Sequence, residues 1–390
     1  MASRERKNKK ITEQKFTIVL SNYNNEEYIE EALISVFHQT YSNIELIITD
    51  DASENFNKKR IEKIINEYSQ DNISDIKFLI NNENLGTVKT LNKALNLVSG
   101  EYILFFSSDD KLENKDVIKN YANVFKDKNV NVITSNWIIC DEKLKTLRKY
   151  QKTNFLESFN KKKVKNQYAQ LCRANIYGAG STCYRKIVFD KYGNFDENFK
   201  YLEDWPLWIK LTFNNEKIYY LNIDGLLHRS GGISNDKNVN ATKLVFFKEV
   251  LNLYKNNILN NIRHLTYKSR IQVINSYLYS IISYSKYIDT KEYYDNLINY
   301  INSDKKVKIC YLLYKCSPNF YNKLITLFYH NNVVLISFFI TIFLVFSIIN
   351  IFKISNKLYF ILMITLLYTI VYYLACTILT FLSTRRNKAI

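Results

Sequence analysis

The chain has 390 residues and carries 54 Lys and Arg against 37 Asp and Glu, a formal net charge of +17 at pH 7. Its length allows two or three domains, and so basic a protein is expected to meet an anionic partner. Nucleic acid is not the expected partner, because the basic residues are spread along the chain and no zinc-finger or RNP-type motif accompanies them. The six cysteines form no CxxC pair, which is typical of reduced thiols rather than of a zinc site.

Strands and helices are predicted to alternate after a basic N-terminal arm, residues 1–13. The apolar run FTIVL predicts a buried strand, and a helix follows whose apolar residues recur at helical spacing. The pattern then repeats, with helices at 57–68 and from about residue 87, and strands at 44–50, 76–80 and 102–106. This alternation is typical of βαβ units with a parallel sheet, in which ligands bind beyond the carboxyl ends of the strands.

Polar residues follow three of these strands: Asn22, Tyr23 and Asn24; Asp50 and Asp51; and Asp109 and Asp110. The last two stand next to each other at a strand end, where their like charges repel. A divalent cation would turn that repulsion into shared coordination, so the pair is a candidate metal site. The alternative is a solvated turn in which Asp109 caps the following helix.

A second pair of carboxylates stands in the segment YGNFDENFKYLEDWPLWIKLTF, residues 192–213. Pro206 suits the first turn of a helix, so Glu203 and Asp204 are predicted just ahead of the helix N-terminus. The helix dipole stabilises a carboxylate there, and the side chain can point towards a substrate. A capping role is the alternative interpretation of the same residues.

Two glycine-containing loops are further candidates for ligand binding. YGAGSTCYR, residues 177–185, is predicted to enter a strand and to allow the close approach of a ligand. LLHRSGGIS, residues 226–234, places His228 and Arg229 before a glycine pair. This basic loop suits a phosphate group, and a surface turn is the alternative.

Residues 236–330 are predicted to form an amphipathic helical region, and residues 331–352 and 358–384 after it contain no charged residue. Each of these two segments is longer than the roughly 20 residues that cross a membrane. The sequence therefore predicts two transmembrane helices joined by KISNK, with a basic tail at 385–390. The positive-inside rule then places the N-terminal portion in the cytoplasm, against anionic lipid of the plasma or inner membrane. A buried helical hairpin is the alternative.

Residues 14–235 resemble the family-2 glycosyltransferases, a group of inverting enzymes with a GT-A fold. Three segments carry the resemblance, in this order: FTIVLSNYNNEEYIEEALISVFHQTYSNIELIITDDAS, NENLGTVKTLNKALNLVSGEYILFFSSDD and YGNFDENFKYLEDWPLWIKL. The C-terminal part is similar to that of membrane-attached members that build bacterial surface polysaccharides. The implied fold class is α/β: a GT-A catalytic domain with a Rossmann-like, mostly parallel sheet, then an α-helical region and a two-helix transmembrane hairpin.

The resemblance also implies roles for individual residues. Asp204 would be the general base, beside Glu203, and Asp110 with Asp109 would hold Mn²⁺ or Mg²⁺ against the donor diphosphate. Donor-binding roles fall to Tyr23 and Asn24 near the nucleotide base, Asp51 as acceptor of a hydrogen bond from the base, Asp109 near the ribose, and Lys89 and Arg229 at the pyrophosphate. Many members have an aspartate where this chain has Ser107, so fewer protein carboxylates would hold the metal.

The implied activity is a metal-dependent transfer of a sugar from a nucleoside diphosphate donor, expected to be a UDP-sugar, with inversion at the anomeric carbon. The implied acceptor is a lipid-linked glycan or a polysaccharide at the inner membrane face. Two alternatives stay open. A membrane-tethered nucleotidyltransferase would have a glycine-rich, basic phosphate loop after the first strand, and SNYNNEE contains none. A non-catalytic nucleotide-sugar-binding module would not need both a metal ligand and a base.

Overall fold

The structure is a computed structural model that describes residues 13–149, 153–230, 239–304 and 307–308. The chain divides into two compact units, Met1–Leu297 and Ile298–Ile390. The first unit contains the sheet and the helices that pack on it. The second unit is described only for residues 298–304 and 307–308.

The first unit begins with strands and helices that alternate. They are β1 (Phe16–Asn22), α1 (Ile29–Phe37), β2 (Ile44–Asp50), α2 (Lys58–Tyr68), β3 (Ile73–Ile80), α3 (Thr87–Leu95) and β4 (Tyr102–Ser107). β2 is buried along its whole length, as the run of apolar residues predicts for a strand covered on both faces. The apolar side of α1 packs into the same core through Ile29, Leu33, Val36 and Phe37.

A second group of elements extends this sheet. It comprises β5 (Lys111–Leu112), α4 (Val117–Asp127), β6 (Val132–Cys140), β7 (Thr146–Lys149), α5 (Thr153–Lys161), α6 (Val164–Leu171), β8 (Thr182–Arg185), α7 (Ile187–Tyr192), α8 (Asp204–Phe213) and β9 (Ile218–Arg229). Within the described residues, nine strands form one sheet in the order β3-β2-β1-β4-β8-β6-β9-β5, and β7 pairs with β6.

The expected α/β architecture is confirmed, but the sheet is mixed rather than mostly parallel. The β1–β2, β1–β4, β2–β3 and β6–β9 pairs are parallel. β8 runs antiparallel to both of its neighbours, β4 and β6. A four-residue strand such as TCYR carries no signal for its direction, because direction depends on where the preceding loop delivers the chain. That loop, residues 175–181, ends in a 3₁₀-helix (Ala179–Ser181) and becomes important at the candidate site.

A helical region follows the sheet. It consists of α9 (Ala241–Asn252), a π-helix (Leu253–Ile258), a 3₁₀-helix (Leu259–His264), α10 (Tyr267–Tyr284) and α11 (Lys291–Ser303), which crosses into the second unit. Many of its aromatic residues pack against each other in the interior. Tyr254 and Tyr277 stack with ring centroids 5.1 Å apart, and both are almost fully buried.

The prediction of an inner-membrane protein with two spans is contradicted. Across the stretches that the structure describes, no helix is both long enough and apolar enough to cross a membrane. The longest, α10, has 18 residues and includes Lys268, Arg270 and several serines, so its apolar residues are interrupted too often to fill a bilayer. The two predicted spans, 331–352 and 358–384, and the tail at 385–390 lie outside the described residues.

Candidate functional site

The carboxyl ends of β1, β2 and β4 meet, as the sequence predicts. Asn22 lies opposite Asp50 of β2, and Ser21 lies opposite Ser107 of β4. The side-chain amide of Asn22 donates a hydrogen bond to Asp50 Oδ1 (2.8 Å), and its oxygen accepts one from Ser108 Oγ (2.7 Å). One buried amide therefore joins three strand ends.

The turn after β1 is fixed to the turn after β2. Asn24 has a φ of 53° and Ala52 a φ of 62°, a left-handed conformation that asparagine tolerates better than most residues. The Asn24 amide N–H donates to Ser53 Oγ (2.8 Å), and Asn24 Oδ1 accepts from the Glu54 N–H (3.1 Å). Between these anchored residues the Tyr23 side chain is 47% exposed, which leaves its ring accessible to a ligand.

Asp51 is buried and shapes the loop that leads into α3. Its carboxylate accepts hydrogen bonds from the Asn81 amide, the Thr90 hydroxyl and the Leu85 N–H, each at 2.9 Å. The Gly86 N–H donates to its other oxygen at 2.8 Å. Four donors occupy a carboxylate that offers about four acceptor positions, so Asp51 fixes residues 81–86. Lys89, one turn into α3, is exposed.

Asp110 lies at the centre of a buried polar cluster. The short β5–β9 pairing brings His228 and Arg229 alongside it, where Asp110 Oδ1 accepts from His228 Nδ1 (2.9 Å) and from the Arg229 N–H (3.2 Å). Burial raises the pKa of Asp110, the neighbouring His228 opposes that shift, and Asp109 adds to it. Burial lowers the pKa of His228, but attraction to Asp110 is strong enough to raise it overall.

The Arg229 guanidinium is engaged within the protein. It donates to the carboxylate of Glu31 (2.6 Å), to the Glu142 carbonyl (3.0 Å) and to the Asp109 carbonyl, and it lies 4.4 Å from the centre of the Tyr28 ring. The side chain is only 4% exposed. Arg229 therefore holds the Asp109–Asp110 turn against α1, and the sequence alone gave no sign of this role.

The metal-ligand atoms near Asp110 suit a hard cation that takes most of its ligands from a substrate and from water. Carboxylate oxygens such as those of Asp110 and Asp109 are suitable ligands for Mg²⁺ or Mn²⁺. In the part of the chain that the structure describes, no group of three or more His, Cys, Asp or Glu side chains could hold a metal ion. Such sites are completed by substrate phosphates and water, and Ser107 in place of an aspartate agrees with this.

Asp204, predicted just ahead of the helix, is the first residue of α8, and it is 8% exposed. Its Oδ2 accepts a hydrogen bond from the side-chain amide of Asn175 (3.1 Å), and its Oδ1 accepts from the Trp205 N–H. Burial raises the pKa of Asp204 to about 6, against the lowering effect of these bonds. Burial and the charge of Asp204 also raise the pKa of Glu203.

A single loop, residues 175–181, borders both carboxylate sites. At its start, Asn175 contacts Asp204. Near its end, a Cβ added at Gly180 would lie 3.6 Å from Oδ2 of Asp110. Five residues of extended chain span about 18 Å at most, so the loop limits how far apart its contacts with Asp204 and Asp110 can lie.

Trp137 of β6 lies against both His228 and the loop 175–181. Its ring centroid is 4.9 Å from that of His228, and a Cβ at Gly178 would come within 3.0 Å of it. Trp137 is partly exposed. Neither Trp137 nor Asn175 was anticipated from sequence, since each acts on a residue far along the chain and no local pattern marks it.

The comparison with protein families decides the identity of this domain. The model described as "Glycosyl transferase family 2" matches residues 17–193. The chain carries a family 2 glycosyl transferase domain. The match ends before Asp204 and His228, so part of the candidate site is contributed by residues beyond it.

Curated relatives of the family 2 domain carry matching names. "Uncharacterized glycosyltransferase RT0329" of Rickettsia typhi is 31% identical over 199 residues, which cover 50% of this chain and 57% of the relative. "Uncharacterized glycosyltransferase MJ1057" of Methanocaldococcus jannaschii is 27% identical over 202 residues, or 52% and 66%. The chain thus spans about three fifths of the length of these relatives.

Solved structures resemble the family 2 domain and the residues after it. Crystal structures of S. aureus TarS superpose with a TM-score of 0.53 at 21% identity. The match covers 75% of this chain and 50% of one TarS chain. For TarS 1-349 in complex with UDP-GlcNAc it covers 74% and 80%. At this level of identity the likeness establishes the fold.

Proposed function

We propose that the protein transfers a sugar from a nucleoside diphosphate donor to a hydroxyl group of a glycan, with inversion at the anomeric carbon. The observation that carries the proposal is the loop 175–181, which contacts Asp204 at one end and lies against Asp110 at the other. The proposal places Asp110, as a ligand of the cation, and Asp204, whose pKa burial raises, on one cleft. The family 2 domain supports the same reaction class.

The proposed donor is a UDP-sugar, and UDP-GlcNAc is the first candidate because it is the ligand of the TarS complex. The exposed ring of Tyr23 suits stacking against a nucleotide base. Asn24 fixes the turn that carries this ring, and Asp51 is proposed to border the base together with the loop that it holds, residues 81–86. Asp109 is proposed to lie near the ribose, and the exposed Lys89 to reach the pyrophosphate.

Asp110, with Asp109, is the residue that would hold Mn²⁺ or Mg²⁺, and His228 orients the Asp110 carboxylate through its hydrogen bond. When bound, such an ion would neutralise the negative charge that develops on the departing diphosphate. Arg229 supports this site by position: its guanidinium holds the carbonyl of Asp109 and its N–H holds the carboxylate of Asp110.

Asp204 is the proposed general base, with Glu203 beside it. The acceptor hydroxyl oxygen forms a bond to the anomeric carbon while its proton passes to Asp204. The bond between that carbon and the diphosphate oxygen breaks, and its electron pair stays with the nucleoside diphosphate. A positioned base typically contributes about 10²–10⁴-fold to such a step. Asn175 orients the carboxylate through the hydrogen bond to Oδ2.

The proposed acceptor is a lipid-linked glycan or a polysaccharide. The net charge of +17 favours an acceptor that itself carries phosphate or carboxylate groups, since opposite charge raises the rate of encounter.

Nucleotide release from a panel of sugar donors tests the proposal. The full chain is incubated with UDP-, GDP- and dTDP-sugars in the presence of Mn²⁺, with and without EDTA. Release of nucleoside diphosphate from one donor, lost with EDTA and in Asp204→Asn, would support the transferase. Release of a sugar 1-phosphate instead, with transfer of the nucleoside monophosphate, would indicate a nucleotidyltransferase. Nucleotide binding without any release would indicate a binding module.

A further inference from the structure

Glu249 is a buried carboxylate of α9, in the helical region beyond the family 2 match. It is 7% exposed, and both of its oxygens accept hydrogen bonds from the backbone just before α8. The Lys200 N–H donates to Oε1, and the Tyr201 N–H donates to Oε2 at 3.1 Å. The Leu202 N–H interacts with the same carboxylate. Three successive amides therefore point at one side chain from a distant part of the chain.

The segment held in this way, residues 200–202, also contacts the loop that leads into α3. That loop, residues 81–86, is the donor-side loop. The Lys200 carbonyl accepts a hydrogen bond from the Val88 N–H in the first turn of α3 (3.1 Å). Gly86, whose φ is +87°, packs so closely that an added Cβ would lie 2.9 Å from the same carbonyl oxygen. The Gly86 N–H in turn donates to Asp51.

At its other end the segment runs directly into the Glu203–Asp204 pair. Here the helical region makes a second contact, because the π-helix brings Tyr254 edge-on to Trp205 with ring centroids 5.6 Å apart. The Tyr254 hydroxyl donates to the Arg173 carbonyl (2.7 Å). Residues 200–202 thus connect the donor-side loop, which Asp51 fixes independently, with the helix start that carries Asp204.

We propose that Glu249 is a positioning residue of the transferase site: by binding the amides of residues 200–202 it sets the place of Asp204 relative to the donor-side loop. This inference rests on the function proposed above. It means that α9 and the π-helix complete a site whose other half lies in the family 2 domain.

A carboxylate at this position is costly, and the cost favours a specific role over simple packing. Burial raises the pKa of Glu249, and its charge adds to the raised pKa of Glu203. An apolar residue of similar size would avoid both penalties. It would leave three backbone N–H groups without an acceptor and residues 200–202 free to shift.

The test compares Glu249→Gln and Glu249→Ala with the control Glu292→Gln, in the full chain. Glu292 lies in the same helical region, is 72% exposed and pairs only with Lys255 among the ion pairs of the described residues, so its replacement removes the same charge without touching residues 200–202. UDP-GlcNAc with Mn²⁺, or the donor identified by the panel, is the substrate. The readouts are kcat and donor KM for nucleotide release and hydrogen exchange of a peptide covering residues 198–205.

The proposal predicts a loss in kcat with little change in donor KM. A displacement of about 1 Å can cost about 10²-fold in rate, so Glu249→Ala should lose roughly that factor in kcat. Its donor KM should change by less than about threefold, because Asp51 holds the donor-side loop by itself. Glu249→Gln keeps one acceptor oxygen and should be intermediate. Both variants should exchange the amides of residues 200–202 faster than the control does.

Equal kcat and equal amide exchange in Glu249→Gln and the Glu292→Gln control would overturn the proposal. If Glu249→Ala does not fold, the isosteric Gln variant decides. If the wild-type chain releases nucleotide from no donor, the proposed function fails, and unchanged amide exchange in Glu249→Gln would overturn the structural part separately.

Discussion

At the scale of single residues, the site depends on carboxylates kept in unfavourable surroundings. Asp110 and Asp204 are both buried, and burial raises the pKa of each. A carboxylate of raised pKa accepts a proton more readily, which suits a general base. For Asp110, the positive charge of a bound cation would offset the cost that burial imposes on the ionised carboxylate. The two residues thus have similar environments and different proposed roles.

Asp204→Asn should abolish transfer and leave donor binding nearly intact. The amide keeps the size of the side chain but cannot take the acceptor proton, so turnover should fall by about 10²–10⁴-fold. Calorimetry with UDP and Mn²⁺ should give an affinity within about threefold of wild type. Equal turnover in the mutant would remove Asp204 from the role of base.

The same substitution should stabilise the protein at neutral pH. The pKa of Asp204 rises from an ordinary 3.8 to about 6 on folding, so the folded state binds more protons between these values and its stability falls as pH rises through that window. At pH values above that window, the ionised Asp204 carboxylate lowers the free energy of unfolding by about 1–3 kcal/mol. Urea unfolding should show Asp204→Asn to be more stable at pH 7.5, with the difference gone at pH 3.5. A difference independent of pH would contradict the assignment.

Asp110→Asn should weaken metal-dependent binding of the nucleotide. The amide can still accept the bond from His228 but no longer carries the charge that a divalent cation needs. Affinity for UDP should fall by about tenfold or more in Mn²⁺ and hardly at all in EDTA. Identical affinities for the mutant and the wild type in Mn²⁺ would count against Asp110 as a metal ligand.

At the scale of elements, the loop that enters α3 packs at Gly86 against Lys200 in the segment that enters α8. Gly86→Ala should destabilise the protein by about 1–3 kcal/mol, because alanine is strained at a φ of +87° and its Cβ would meet the Lys200 backbone at 2.9 Å. UDP should also bind more weakly, since the loop held by Asp51 must move.

Gly193→Ala is the matched control for that substitution. Gly193 has a similar φ of +78°, but its added Cβ would meet only the flexible end of Lys210, at 3.8 Å. Thermal unfolding and UDP titration of both variants therefore separate backbone strain from the contact with Lys200. If the two variants behave alike, the contact contributes nothing.

The elements that could be predicted from sequence are those whose residues signal their own environment. The apolar runs of β1, β2 and β4 and the spacing of Ile29, Leu33 and Val36 in α1 appear in the structure as expected. The direction of β8 could not be predicted, because it is fixed by a loop rather than by the strand. The two-residue β5 is too short to have a pattern, yet its pairing with β9 brings His228 to Asp110.

The site residues follow the same rule. Asp109, Asp110, Glu203 and Asp204 stand in compact motifs at strand ends and helix starts, where sequence is informative. Asn175 and Trp137 act on partners 29 and 91 residues away in the chain. Glu249 acts on backbone amides 48 and 49 residues away. Their roles become visible only once the chain is folded.

At the scale of the whole molecule, the candidate site is not confined to the matched family region. The proposed donor-binding residues Tyr23, Asn24, Asp51, Lys89 and Asp109 lie within the matched residues 17–193. Asp204, His228 and Arg229 lie beyond this range, and Glu249 lies further still, in the helical region. Much of the apolar face of that predicted amphipathic region is buried inside the protein, since Val273, Tyr277 and Ile281 are fully buried.

In the proposed mechanism a donor diphosphate at Asp110 presents its sugar to Asp204. A crystal structure of the full chain with UDP-GlcNAc and Mn²⁺ would show whether it does. We expect Mn²⁺ bound by Asp110 and the diphosphate, the base beside Tyr23, and the anomeric carbon in the cleft bordered by residues 175–181 with Asp204 on the face opposite the leaving group. A donor bound away from Asp110, or a sugar that no part of Asp204 faces, would contradict it.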